Sequence, residues 1–143
     1  MKLHVILLTA AILCTSTNAM CIKKPRLKNT RWTTEYKEFV ADVGYADVTV
    51  TLDFVSAKEY EMKTVINMPP HSSMYMNHDG TVDKYPGSTS EYTEKGTYIA
   101  DKEAVTLTGE KGGSKILVFL SDKQLAADMN YRHLELTREG KLK

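Results

Sequence analysis

The chain has 143 residues, of which 26% are charged and 42% hydrophobic, and its formal net charge is +1. This length suits one domain with its own hydrophobic core. The near-neutral charge lacks the basic balance that is typical of nucleic-acid-binding proteins, so no nucleic-acid partner is predicted.

Residues 1–19 predict a secretory signal peptide. Lys2 supplies a positive charge, an apolar run extends from Val5 to Cys14, and small or polar residues lead to Ala19. The run is about 10 residues long, whereas a bilayer-spanning helix needs about 20, and no later segment reaches that length. We therefore expect an exported protein, periplasmic or secreted, without a transmembrane helix.

Residues 20–30 predict a basic linker, followed by a domain over residues 31–143. Cys21 stands where the lipid-modified cysteine of a bacterial lipoprotein would stand, so a membrane anchor at Cys21 is an alternative to soluble export. Asn18 and Met20 depart from the lipoprotein pattern. Because Cys14 leaves with the signal peptide, no intramolecular disulfide is expected in the mature chain.

The sequence of residues 31–143 predicts β-strands over most of its length. In the second strand the apolar residues Val48 and Val50 alternate with Thr49 and Thr51, which is the period of a half-buried strand. Eight segments predict strands, in chain order Arg31–Ala41, Tyr45–Val55, Glu59–Ile66, Tyr92–Ala100, Glu103–Thr108, Ser114–Leu120, Gln124–Met129 and Tyr131–Arg138. Most connections are short and carry turn residues, which favours antiparallel hairpins.

Eight strands joined mainly by hairpins predict an all-β fold, an antiparallel up-and-down barrel that closes on itself. An eight-stranded barrel has an interior that side chains fill or that holds one small ligand. A two-sheet β-sandwich is the alternative, because strand spacing alone does not separate the two architectures.

Residues 67–90 form the one long connection. Pro69-Pro70, Asp79-Gly80 and Pro86-Gly87 prevent a single regular element there, yet Met74, Tyr75 and Met76 make the segment too apolar for a disordered loop. We expect it to fold back on the barrel, either as a lid over a ligand or as a plug of ordinary core residues.

Aromatic and methionine side chains are the candidate ligand-binding residues. Tyrosine combines apolar area with a hydroxyl, which suits a ligand of mixed polarity, and a core that satisfies those hydroxyls internally is the alternative. The candidates are Trp32, Tyr36, Tyr60, Met62, Met74, Tyr75, Met76, Tyr92 and Tyr98.

No residue pattern predicts an enzyme or a cofactor. His71, His78, Asp79 and Asp83 have metal-ligand character, but their spacing fits neither a calcium loop nor a zinc site, and the Asp79-Gly80 pair is typical of a turn. No Gly-x-Ser-x-Gly nucleophile motif is present in the sequence. We therefore expect no metal site and no catalytic residues.

Three short motifs resemble the small lipocalin-like domains of bacterial envelope proteins. They are Asn29-Thr30-Arg31-Trp32 at the domain entry, Gly96-Thr97-Tyr98, and Val105-Thr106-Leu107-Thr108 after a short turn. The resemblance covers about Asn29 to Arg138, and it implies a barrel in the cell envelope without catalytic residues.

Two functions follow as hypotheses. The first is a non-enzymatic binding module that holds a small apolar or amphipathic ligand in the barrel under the 67–90 loop. The second is an envelope interaction or scaffold protein, in which the loop is the contact surface and no ligand cavity exists.

Overall fold

The computed structural model describes residues 25–129 and 131–142. The predicted signal peptide, residues 20–24 of the predicted linker and Cys21 lie outside these ranges. No helix in the described ranges is long and apolar enough to cross a bilayer. The strands are β1 (Thr30–Val40), β2 (Gly44–Phe54), β3 (Glu59–Met68), β4 (His71–Met76), β5 (Val82–Tyr85), β6 (Ser88–Ala100), β7 (Ala104–Gly109), β8 (Ser114–Ser121), β9 (Gln124–Met129) and β10 (Arg132–Lys141).

Eight of the strands form a closed antiparallel barrel in the order β1-β10-β9-β8-β7-β6-β3-β2. The first strand closes it, because Trp32 lies opposite Leu52 of β2 on one side and opposite Arg138 of β10 on the other. The predicted eight-stranded barrel is thus confirmed, and the sandwich alternative does not apply. Each barrel strand corresponds to a predicted segment, although β6 begins at Ser88 rather than at Tyr92.

The core follows from the period-two alternation of the strands. Inward residues of β2 such as Leu52 and Phe54 are fully buried, and they meet Trp32, Tyr60 and Leu107 from facing strands. Phe54 and Tyr98 pack edge to face with ring centroids 4.7 Å apart. These side chains fill the end of the barrel at which β1 begins, which we call the base.

At the opposite end, which we call the mouth, the wall is uneven. The pairing of β1 with β10 ends at Thr33, whereas its pairing with β2 continues to Val40. The pairing of β6 with β7 likewise ends at Gly96, whereas its pairing with β3 continues to Ser88. Four long strands therefore extend beyond the closed part of the barrel.

The 67–90 segment differs from the expected covering loop. It contains β4 and β5, which pair with each other and with no barrel strand among the described residues. Met74, Tyr75 and Met76 are 74%, 79% and 70% exposed, so they neither cap nor plug the barrel. The β3–β6 ladder runs out to the pair Met68–Ser88 and thereby carries the segment away from the barrel end.

Candidate functional site

Three predicted ligand-binding residues are core residues of the base. Trp32 is fully buried, and its Nε1 donates a hydrogen bond to Thr30 Oγ1 at 2.9 Å. Tyr98 donates its hydroxyl to the carbonyl oxygen of Ser56 at 2.9 Å. Tyr60 is 1% exposed. Their polar groups are satisfied within the protein, as the core interpretation of these residues predicts.

Three other predicted residues, Tyr36, Met62 and Tyr92, lie towards the mouth. They are on barrel strands, whereas Met74, Tyr75 and Met76 are on the β4–β5 hairpin. Met62 and Tyr92 line a shallow groove of about 470 Å³ beside Glu94 and Lys111. Tyr36 lies on another part of the rim, under the Arg132 guanidinium at 4.8 Å from the ring centroid. The structure thus brings Met62 and Tyr92 together but does not assemble the whole predicted set.

A polar cluster separates the mouth from the core. Glu94 accepts a hydrogen bond from the Tyr60 hydroxyl at 2.6 Å, and Lys115 Nζ donates to its two carboxylate oxygens at 2.6 and 2.7 Å. Burial alone would raise the pKa of Glu94, but the hydrogen bonds from Lys115 and Tyr60 outweigh it and lower the pKa. Burial, reinforced by the bond to Glu94, raises the pKa of Tyr60. Because these groups satisfy one another, the cluster offers little to a ligand.

A larger cavity lies at the base, and Tyr98 is the one predicted ligand-binding residue that lines it. It is an open groove of about 970 Å³, which we call the basal groove. Four parts of the chain form its walls: the segment Pro25–Thr30, the turn at Ala57 and Lys58, the end of β6 over Thr97–Ala100, and the end of β10 at Arg138 and Lys141. It is thus built where strands end, between the N-terminal segment and the barrel.

The N-terminal wall is held firmly against the barrel. Leu27 is 4% exposed, and its carbonyl oxygen accepts a hydrogen bond from the Thr30 hydroxyl. Asn29 donates its backbone N–H to Phe54 at 2.6 Å and accepts from the N–H of Leu142 at 2.9 Å. The described part of the predicted linker therefore packs as part of the domain, and the groove has an ordered wall.

The lining of the basal groove combines apolar and cationic side chains. Pro25, Leu27, Ile99 and Ala100 supply apolar surface, and Tyr98 adds the edge of a ring. The charged lining residues are Arg26, Lys28, Lys58, Arg138 and Lys141, and none of the aspartates and glutamates in the described ranges lines the groove. The alternating basic and apolar residues at 26–28 were the available signal, but a sequence alone does not show that this stretch meets the ends of β6 and β10.

The candidate metal ligands His71, His78, Asp79 and Asp83 lie on the β4–β5 hairpin, and His71, Asp79 and Asp83 have local partners. Asp79 accepts hydrogen bonds from the backbone N–H and the hydroxyl of Thr81, at 2.9 and 2.6 Å. Asp83 accepts from the Asn77 amide at 3.1 Å, and the His71 ring stacks on Tyr85. In the described part of the chain no three histidine, cysteine or carboxylate side chains converge on one point. The arrangement is that of a hydrogen-bonded turn.

Comparison with known proteins adds no family: no protein-family model, no curated protein and no solved structure matches this chain.

Proposed function

We propose that this protein is an exported, non-enzymatic binding module that holds a small amphipathic ligand in the basal groove. The observation that carries the proposal is the groove itself, about 970 Å³ in volume with apolar and charged residues on its walls. Ligand sites of drug-sized molecules have volumes of about 300–1,000 Å³ and combine apolar lining with a few polar groups.

The filled core at the base argues for the groove and against a ligand within the barrel. Trp32, Phe54 and Leu107 are fully buried at its base, where a ligand would have to displace them. Emptying such a position costs about 2–5 kcal/mol for a large side chain, so a ligand gains more by occupying space that already exists. Binding therefore takes place outside the barrel, between its base and the N-terminal wall.

The test is calorimetric titration of the purified protein with two ten-carbon amphiphiles, decanoate and decyl maltoside, below their micelle concentrations. We expect saturable one-to-one binding of at least one of them. Ile99→Asn should weaken it, because Ile99 is 80% exposed and lines the groove.

Ile116→Asn is the matched control. Ile116 also points outward from the barrel and is 61% exposed, but it lies two strands away, across Thr106, and does not line the groove. Its substitution should leave binding unchanged. An absence of saturable binding by both amphiphiles, or equal losses in the two variants, would contradict the proposal.

Export is part of the same proposal and rests on the sequence of residues 1–19. The intact mass of the protein purified from its own host tests it. We expect a mature chain that begins near residue 20, and an added mass of a diacylglycerol group on Cys21 would identify the membrane-anchored alternative. A full-length mass would contradict export by this signal.

One observation favours a second function, that of an interaction protein. Met74, Tyr75 and Met76 are well exposed on a hairpin that extends away from the barrel. Methionine and tyrosine are enriched in the cores of protein interfaces. A photo-crosslinking residue at Tyr75 should capture a partner in intact cells, whereas one at Tyr131, which is even more exposed, should not. Equal labelling from both positions would contradict this second function.

A further inference from the structure

We infer that the ligand of the basal groove is an anionic amphiphile, one acyl or alkyl chain with a carboxylate or phosphate head. The inference rests on the proposed function, since it names the chemical class that the same groove would bind. It follows from the charges of the lining, which are of one sign, and from the apolar surface between them.

The five cations of the groove have no anionic partner among the described residues. Arg26, Lys28, Lys58, Arg138 and Lys141 form none of the ion pairs found in residues 25–129 and 131–142. Elsewhere lysines do pair with carboxylates on the barrel surface, as Lys63 does with Glu91 at 2.8 Å. Cations gathered around one cavity without compensation create a positive potential that attracts anions.

The carboxylates that lie nearest along the chain accept hydrogen bonds from groups that do not line the groove. Glu139 accepts a hydrogen bond from the Thr33 hydroxyl at 2.8 Å, and Glu59 accepts one from the Ser56 hydroxyl at 3.0 Å. Asp101 accepts from the backbone N–H groups of Glu103 and Ala104 at 2.7 and 2.8 Å. None of the three lines the groove, so a bound anion would not compete with an internal carboxylate there.

Arg138 is the best-placed cation of the five. Its guanidinium lies 5.9 Å from the centroid of the buried Trp32 ring, and its side chain is only partly exposed. A planar guanidinium held in this way presents paired N–H donors that match the oxygens of a carboxylate or phosphate. We therefore place the head group at Arg138 and Lys141, with Lys58 on the wall formed by the turn between β2 and β3.

The apolar part of the groove accounts for the chain of the amphiphile. Ile99 and Ala100 line the groove from the end of β6 and Pro25 lines it from the N-terminal segment, and Ile99 is otherwise exposed to solvent. Covering such surface with an alkyl chain should tighten binding about fourfold for each buried methylene. A simple inorganic anion would leave this surface exposed, so inorganic phosphate should bind far more weakly than decyl phosphate.

The experiment is calorimetric titration with four ten-carbon amphiphiles that differ in the head: decyl phosphate, decanoate, decyl maltoside and decyltrimethylammonium. We expect both anions to bind at least about tenfold more tightly than the neutral maltoside, and the cation to bind least. Comparison of decyl phosphate with decanoate shows which anionic head the groove prefers.

Charge-neutralising variants test whether the cations of the basal groove bind the anionic head group. The triple variant Lys58→Gln, Arg138→Gln and Lys141→Gln should weaken decyl phosphate at least about tenfold and leave decyl maltoside within about twofold. The control, Lys37→Gln, Lys84→Gln and Lys111→Gln, removes the same net charge outside the groove and should leave both affinities unchanged. Retained binding of the maltoside also shows that each variant is folded.

The outcomes separate the inference from the proposed function. Equal affinities for anionic and neutral amphiphiles would overturn the inference and leave the function standing. No saturable binding of either decanoate or decyl maltoside would overturn both, because the inference requires both anionic amphiphiles to bind. Binding only to phosphatidylglycerol vesicles, with no binding of single amphiphiles, would also overturn the inference, because it would identify a charged membrane-contact surface instead of a site for one molecule.

Discussion

At the scale of single residues, Glu94 shows how the barrel accommodates a charge at its mouth. Its carboxylate points inward from β6 and is held by the Tyr60 hydroxyl and the Lys115 ammonium. The side chain keeps 36% of its exposure, so water also solvates it. The Glu94–Lys115 ion pair is therefore partly exposed, and its contribution to the free energy of unfolding is modest.

Glu94→Gln is expected to lower the free energy of unfolding at pH 7 by about 1 kcal/mol, because Lys115 loses its counter-charge while the amide still accepts from Tyr60. Since the folded-state pKa of Glu94 lies below its ordinary value, its contribution exists above the ordinary carboxyl pKa and is lost as the pH falls through the folded-state value. Urea titrations across pH 2.5–8 measure the difference between the two proteins.

The control for this substitution is Glu91→Gln on the outward face of the same strand. Glu91 pairs with Lys63 at 2.8 Å, but both side chains are well exposed, so the change should cost less than about 0.5 kcal/mol. A difference between wild type and Glu94→Gln that persists unchanged at pH 3 would contradict the assignment to the Glu94 charge.

At the scale of elements, the β6–β7 hairpin depends on a close backbone approach at Gly96. Gly96 lies opposite Tyr60 on one side and Gly109 on the other. A Cβ atom built at Gly96 would lie 2.0 Å from the Thr108 carbonyl oxygen, so the backbone of β7 would have to shift to admit it. The glycine therefore allows two strands to approach more closely than any other residue would permit.

Gly96→Ala is expected to lower the free energy of unfolding by about 3 kcal/mol or more, because the ladder must open to admit the methyl group. Gly112→Ala is the control: its Cβ meets no atom within 4 Å, and the positive φ of 89° should cost only about 1–2 kcal/mol. Thermal unfolding followed by circular dichroism gives both values. Equal costs would show that the approach at Gly96 does not constrain the barrel.

The β4–β5 hairpin is an element that the barrel does not need. Met68 and Ser88 are directly opposite each other on β3 and β6, so a two-residue Asn-Gly turn in place of residues 69–87 should join the strands without strain. We expect the free energy of unfolding to change by less than about 1 kcal/mol in urea titrations. A variant that no longer unfolds cooperatively would show that the hairpin stabilises the core.

At the scale of the whole molecule, the fold was far easier to predict than the site. Alternation such as that of Val48 and Val50 with Thr49 and Thr51 is local, and short turns determine which strands pair, so barrel strands could be inferred one segment at a time. The exposure of Met74 and Tyr75 could not be inferred in this way, because it depends on how far the pairing of β3 with β6 extends.

The basal groove could not be predicted from local sequence patterns for a similar reason. Its walls come from four separate stretches of the chain, which the folded barrel gathers around one cavity. Tyr60 and Tyr98 were candidate ligand-binding residues and they are buried, but buried aromatic residues serve a core as readily as a cavity. Only the packed arrangement shows that the open space lies outside the barrel.

The central claim is that a ligand binds at the base of the barrel. Amide chemical-shift mapping by NMR, with the protein titrated by decyl phosphate, tests it most directly. We predict that the largest shifts occur in residues 26–30, 97–100 and 138–141 and that the mouth is unaffected. The largest shifts at Tyr36 and Met62 would contradict this account and return the ligand to the mouth of the barrel.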